Sequence, residues 1–237
     1  MKKLNKRIAV ITNTLLSIII VVVCVVSFLP DTALPIYGGE EISAIYNGNR
    51  AHKNVSLMFN VYENTKVVNG IIDVLDEHGA NATFFVGGCW ADDNGETLIR
   101  IVSSGHEIAN HGYFHKDHKK LNYQQNEQEI ALTDSIIRAL CGIKPTLFAP
   151  PSGSFSNQTL EVAFNLNYKV IMWSKDTIDW RDKDGALIIK RATDNLENGD
   201  LVLMHPKEHT LKVLHDILSY YESVGFKVVT VSENLMD

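Results

Sequence analysis

Between Val55 and Val231 the chain alternates two kinds of pattern, and this alternation limits its fold more than any other feature. Seven short apolar runs read as strands: "VSLMFNV" (55–61), "ATFFVG" (82–87), "HEIAN" (106–110), "TLFAP" (146–150), "KVIMW" (169–173), "DLVLMH" (200–205) and "KVVTV" (227–231). Helical patterns lie between them, among them "VVNGIIDVLDEHG", "GETLIRIVSSG", "NEQEIALTDSIIRALCG" and "TLKVLHDILSYYESVG", each stopping at a glycine. Strands alternating with helices imply an α/β fold with a mainly parallel sheet. In such folds ligands bind beyond the carboxyl ends of the strands. Here those ends read "NVYEN", "NHGYFH", "APPSG", "SKDTIDW" and "MHPKEH". Residues capable of chemistry therefore collect at one rim.

A different kind of segment precedes the alternation. Residues 1–7, "MKKLNKR", carry four basic residues and no acidic one, and residues 8–29 are uncharged over 22 positions. At about 1.5 Å per residue such a run crosses a hydrocarbon core of about 30 Å. Basic residues ahead of it predict a single N-terminal transmembrane helix with a cytoplasmic start and an extracytoplasmic remainder. A cleaved signal peptide is the rival reading, but its apolar stretch normally runs only about 7–15 residues. The expected organisation is an anchor over 1–29, a linker over 30–53 and one domain over 54–237. The 237 residues hold 22 Lys and Arg against 28 Asp and Glu; without the four basic residues at the start, 18 stand against 28, a net charge of −10. A domain of that sign is ill suited to nucleic acid. A monomer is expected. Cys24, Cys89 and Cys141 make no disulfide framework; Cys24 lies in the apolar run, and Cys89 and Cys141 read as buried small side chains.

Four rim segments carry candidate chemistry. His111 and His115, in "HGYFH", stand four apart; on a helical turn that spacing puts both imidazoles on one face, as zinc sites favour. The competing reading is a solvated loop rich in histidine. In "DTIDW", Asp179 is a candidate to orient a histidine or ligate a metal, while Asp176 suits a turn cap and Trp180 suits packing. His205 ends a strongly apolar strand. A histidine alone there is usually structural, but a nearby aspartate would fix its tautomer and make it a general acid near neutral pH. "FAPPSGSF" is a rigid Pro-Pro turn, either a cleft wall or simple loop punctuation.

Together these segments resemble the polysaccharide deacetylase family, the group with the NodB homology domain, over about residues 54–235. The resemblance implies a distorted barrel of about seven β/α units. It also implies removal of acetyl groups from a cell-wall glycan, such as peptidoglycan or a chitin-like polymer, with a divalent metal, usually zinc. "HGYFH" matches the family's His-x-x-x-His motif, so His111 and His115 would be metal ligands. "DTIDW" matches its Asp-x-x-Asp-Trp motif, so Asp179 would tune the catalytic histidine. "LMH" matches its Leu-x-His motif, making His205 the general acid. Trp180, with Pro150, Pro151 and Tyr113, would line the substrate groove, and His118 would be a bystander.

Two motifs depart from the pattern. Where the family has Thr-Phe-Asp-Asp-Gly, this chain has "MFNVY": Asn60 stands at the general-base position and Val61 at the third-ligand position. Where the family has an arginine before its Pro-Pro pair, paired with the base carboxylate, this chain has Ala149. The two losses agree, because an arginine without its carboxylate would be an unpaired charge in a partly dry cleft. The form resembles a branch related to sporulation deacetylases, whose members carry a glutamate a few residues further on. Lys66 takes that place, and Glu63 is the nearest substitute as base or ligand. The sequence thus ranks a metal-dependent deacetylase first. A degenerate glycan-binding or wall-assembly protein comes second, and an unrelated metalloprotein on the same fold third.

Overall fold

A strand of eight residues, Asn54–Val61 (β1), is the spine of the molecule, and all but its first residue are buried. The computed structural model describes residues 13–21, 36–37 and 40–236. The chain divides into two units, residues 1–34 and 35–237. In the first, residues 13–21 are helical with exposed side chains. Among the described residues no helix is long and apolar enough to cross a membrane; the span expected over 8–29 lies largely outside them, as does Cys24.

The second unit begins with a two-residue antiparallel pairing, Ile36–Tyr37 with Glu40–Glu41. After β1 the chain runs through α1 (Thr65–Glu77), β2 (Thr83–Val86), α2 (Gly88–Asp93), α3 (Gly95–Ser103), β3 (Glu107–Asn110) and α4 (Tyr123–Cys141). It continues with β4 (Leu147–Phe148), α5 (Asn157–Asn165), β5 (Lys169–Val170), β6 (Lys175–Asp176), α6 (Gly185–Thr193) and β7 (Asp200–Met204). The last elements are α7 (Glu208–Ser223), β8 (Lys227–Val228) and α8 (Val231–Asn234). The sheet order is β5-β4-β3-β2-β1-β7-β6, with β8 paired to the start of β1. Every pairing in it is parallel. The result is a curled parallel sheet, a half-barrel with helices around it. All seven expected strands are present. β6 was not anticipated, because Lys175–Asp176 is too short and too polar to show a period of two. Ile45, in the stretch expected to be linker, bridges to Ile171 beyond β5.

The pleat of β1 sorts the interior into two sides. Val55, Leu57, Phe59 and Val61 enter the large core beneath the helices, with Ile71 and Leu75 of α1 and Leu214 and Ile217 of α7. Met58, on the opposite side, joins Phe85, Ala109, Leu147, Ala149, Ile171 and Leu201, a layer that takes residues from successive strands and fills the inside of the curl. Phe59 and Phe84 stack at 5.2 Å between ring centres. A third cluster, with Ile130, Phe148 and Leu160, seats α4 and α5. The long α4 opens on a reciprocal capping box between Asn122 and Gln125 and closes on Gly142 at φ 68°, a conformation that favours glycine. Cys89 is exposed and Cys141 partly so, both as free thiols; this corrects the expectation that both are buried.

His106, just before β3, is 5% exposed, and neither of its ring nitrogens has a hydrogen-bond partner. Asp76 is 3.8 Å away, beyond hydrogen-bond reach. Burial pushes the imidazole pKa below its ordinary 6.5. The unfolded chain therefore takes up this proton at a pH where the folded chain refuses it. Its contribution is intact above about pH 6.5 and is lost as pH falls below that value. The urea midpoint is expected to drop between about pH 7.5 and about pH 5.5, and to drop less in His106→Leu. Parallel slopes for the two proteins would refute this coupling.

Candidate functional site

The site is built where the strands end. At the end of β3, Asn110 is fully buried and works in two directions. Its Nδ2 donates to the Ile130 carbonyl of α4 at 2.8 Å, and its Oδ1 accepts the Gly112 N–H at 2.9 Å. These bonds turn the chain sharply, so "HGYFH" forms a loop and not the helical turn that its spacing suggests; Gly112 has φ 74° and His115 φ 54°. The loop still brings the His111 and His115 rings to 5.1 Å. Glu129 of α4, 2% exposed, holds the loop from below: it accepts the Phe114 N–H at 2.7 Å and pairs with Lys116 at 2.9 Å.

His111 is fully buried, and its Nδ1 lies 2.7 Å from the Ala149 carbonyl. A carbonyl only accepts, so Nδ1 carries the proton and Nε2 offers a lone pair. That Nε2 has no partner. Burial, then the neighbouring His115, push the His111 pKa well below 6.5 and keep the ring neutral. His118, expected to stand outside the histidine pair, is not solvated. It is fully buried, its Nδ1 meets Asn126 Oδ1 at 2.7 Å, and its ring packs on Phe148 at 5.0 Å, tying the loop to α4.

The opposite wall carries the pair expected from sequence. Asp179, 1% exposed, accepts the His205 backbone N–H at 2.7 Å, contacts His205 Nδ1 at 2.8 Å and accepts the Thr210 hydroxyl at 2.7 Å. His209 Nε2 donates to the Asp179 carbonyl at 2.7 Å. Such a carboxylate fixes the His205 tautomer and the orientation of its ring. Asp176 Oδ1 accepts the Ile178 N–H at 2.7 Å, the turn cap expected of it. Ile178, Ser152 and His115 all have left-handed backbones, at φ 56°, 56° and 54°. Non-glycine residues there cost about 1–3 kcal/mol each, and such strain gathers at ligand sites.

The wall at β1 is where the site departs from a complete one. Asn60 lines the cavity, 3% exposed, with Oδ1 unpartnered. Val61 faces the helix-side core, so the third-ligand position has no side chain in the cavity. Ala149, fully buried, belongs to the layer inside the curl. Glu63 does not line the cavity; its carboxylate is bound by Lys207. Tyr62, unremarked in the sequence, covers the centre. Its ring lies 4.3 Å from His115, 6.3 Å from His111 and 6.4 Å from His205. Burial raises its pKa above 10, so the phenol stays protonated.

These groups surround one cavity of about 280 Å³, with Trp173, Trp180 and Ser152 on its outer wall. Gly153 lets Trp173 approach: a Cβ there would stand 2.6 Å from the indole. Trp180 is exposed at the rim and stacks under Arg181 at 5.6 Å. Pro150 and Pro151 are buried behind Ser152 and shape the wall without lining it. Tyr113 turns away and packs on Gly88 of α2. Tyr62, Ser152, Trp173 and Leu203 also line the cavity; the sequence placed them in rim or strand segments without giving any of them a role of its own.

As for the implied divalent metal, the residues present fit it only in part. His111 Nε2 is oriented and free, and His115 stands beside it. No third ligand joins them: among the described residues no three His, Cys, Asp or Glu side chains gather to hold a metal ion.

A curled parallel β/α half-barrel with a histidine pair, an Asp–His pair and a rim tryptophan round one cavity is the architecture at hand. The chain belongs to the polysaccharide deacetylase family, whose sequence profile matches residues 47–171. It is 34% identical over 193 residues to the uncharacterized protein YlxY of Bacillus subtilis, covering 81% of this chain and 60% of that one. It is 30% identical over 182 residues to the peptidoglycan-N-acetylmuramic acid deacetylase PdaC of Bacillus subtilis, covering 76% and 38%. The chain thus spans less than two thirds of the length of these relatives. Among solved structures, BA3943 of Bacillus anthracis, a CE4 family pseudoenzyme, superposes with a TM-score of 0.81 at 31% identity, covering 84% of this chain and 70% of that one. A BA3943 mutant with restored enzymatic activity superposes equally well.

Glu129 sets the position of the histidine loop. Glu129→Ala leaves a backbone N–H and the Lys116 ammonium without their partner and is expected to destabilise by about 1–3 kcal/mol. Amide exchange should quicken at residues 112–116, while Glu129→Gln, which keeps an acceptor for Phe114, should show much less of both. Unchanged exchange in the alanine variant would refute the role.

Proposed function

We propose that this protein binds a cell-wall glycan in the cavity at the strand ends and does not hydrolyse it at the rate of a complete deacetylase. The observation that carries the reading is the β1 wall. Asn60 cannot take a proton at neutral pH, and Val61 at the third-ligand position is turned into the core. The likeness to a CE4 family pseudoenzyme supports the same reading. So do the exposed Trp180 and the partly buried Trp173, whose flat faces suit a sugar ring. This inverts the order in which the sequence ranked its first two readings.

Slow hydrolysis is the second reading, favoured by the intact Asp179–His205 pair and the free His111 Nε2. In it His205 protonates the leaving amine, and the lost base lowers the rate by about 10²–10⁴-fold. The uncharged run over 8–29 behind four basic residues supports a membrane-anchored domain on the extracytoplasmic side, where wall glycan lies. Protease added to protoplasts should then digest the domain, and protection would overturn that placement.

The test pairs two measurements on the full chain. Insoluble peptidoglycan should pellet the wild type, with affinity reduced roughly tenfold in Trp180→Ala. Acetate release from N-acetylglucosamine oligomers should stay at background. Failure to pellet would overturn binding, and repeated turnover would install the second reading.

A further inference from the structure

The cavity wall offers acceptors that nothing in the protein satisfies. Asn60 Oδ1 and His111 Nε2 both belong to nearly or fully buried side chains that line it, and both lack a partner. His111 Nε2 accepts, because the ring's proton is committed to the Ala149 carbonyl. Buried acceptors left empty are costly, so a ligand that brings donors to them gains what the apo site lacks.

The charge around the cavity has the matching sign. Asp176 is on the wall, and no lysine or arginine lines it among the described residues. Two cations stand near its edge, and both are committed: Lys207, over Tyr62, to Glu63, and Arg181, over Trp180, to Asp182. His205 is paired with Asp179, so that pair adds no net positive charge. Tyr62, Trp173 and Trp180 present aromatic rings, which attract cations as well as sugar faces. Residues 31–237 carry a net −10 by formal charge, which draws cationic ligands and repels anionic ones. The volume, about 280 Å³, is at the lower end of small-molecule sites and suits a single sugar unit.

We propose that this cavity recognises a de-N-acetylated amino sugar, a hexosamine unit whose free ammonium is held by Asn60 Oδ1, His111 Nε2 and the Asp176 charge. An ammonium brings three donors and a positive charge to this wall. An acetamide brings one donor and a carbonyl that finds no cation waiting. The inference rests on the glycan-binding reading and narrows it: the chain reads the product of deacetylation, not its substrate.

The test is calorimetric titration of the full chain, with a chelator present, against glucosamine tetrasaccharide and N-acetylglucosamine tetrasaccharide, at a pH where the amine is charged. The expected result is about tenfold tighter binding of the glucosamine oligomer, equivalent to about 1.4 kcal/mol. Asp176→Asn keeps an acceptor for the Ile178 N–H but removes the charge, and should erase most of the preference. Asn60→Asp, similar in shape, should increase it. Equal or tighter binding of the acetylated oligomer would overturn the proposal and leave glycan binding standing. Binding of neither oligomer would remove both. A preference that neither substitution changes would place the amine elsewhere and also overturn the proposal.

Discussion

The two-residue period of β1 is the constraint on which the rest depends. Its odd-numbered residues from Val55 to Val61 all enter the helix-side core, so Met58 and Asn60 must face the inside of the curl. A shift of one residue would drive Ser56 and Asn60 into the helix-side core and four apolar side chains into the curl, which makes the register firm. The consequence for the site is direct. Val61 shares the core cluster with Phe84, Val86 and Trp90. Valine there is good core chemistry and poor metal chemistry, and the structure takes the first.

Around that spine the rim is held by polar side chains buried where water does not compete. Asp179 gathers His205 and Thr210, Glu129 gathers Phe114 and Lys116, and Asn110 joins the histidine loop to α4. Each is almost fully buried and has its partners in place, which is the condition under which a buried polar group stabilises. They oppose the left-handed backbones at His115, Ser152 and Ile178. Strain of that kind persists only where the surroundings over-determine the conformation.

The altered wall is coherent in itself. Asn60 removes a negative charge and Ala149 removes the need for a positive one, so no buried ion is left unpaired. Asp179 meanwhile holds His205 and Thr210. The Asp179–His205 wall and the carboxylate-free β1 wall thus face each other across one cavity.

Much of this was legible in sequence, for physical reasons. Strand positions followed from apolar runs, and the site's location followed from where a parallel sheet sends its polar ends. Asp179, His205, His111 and His115 stood out because their residue types do chemistry at those spacings. The helical turn expected for residues 111–115 was wrong because spacing alone does not see the Asn110 and Glu129 bonds that bend the chain. Tyr62 and Glu129 carried no signal, since their positions depend on elements distant in the chain. The sequence by itself determined the alternating α/β architecture and the rim, because these depend on residue type and period. Only the tertiary structure decided that Val61 turns inward, that Glu63 is taken by Lys207, that Tyr62 covers the histidines and that Asn60 Oδ1 and His111 Nε2 stand without partners at the cavity. Those facts depend on which side chains from separate strands meet, and that is set by packing.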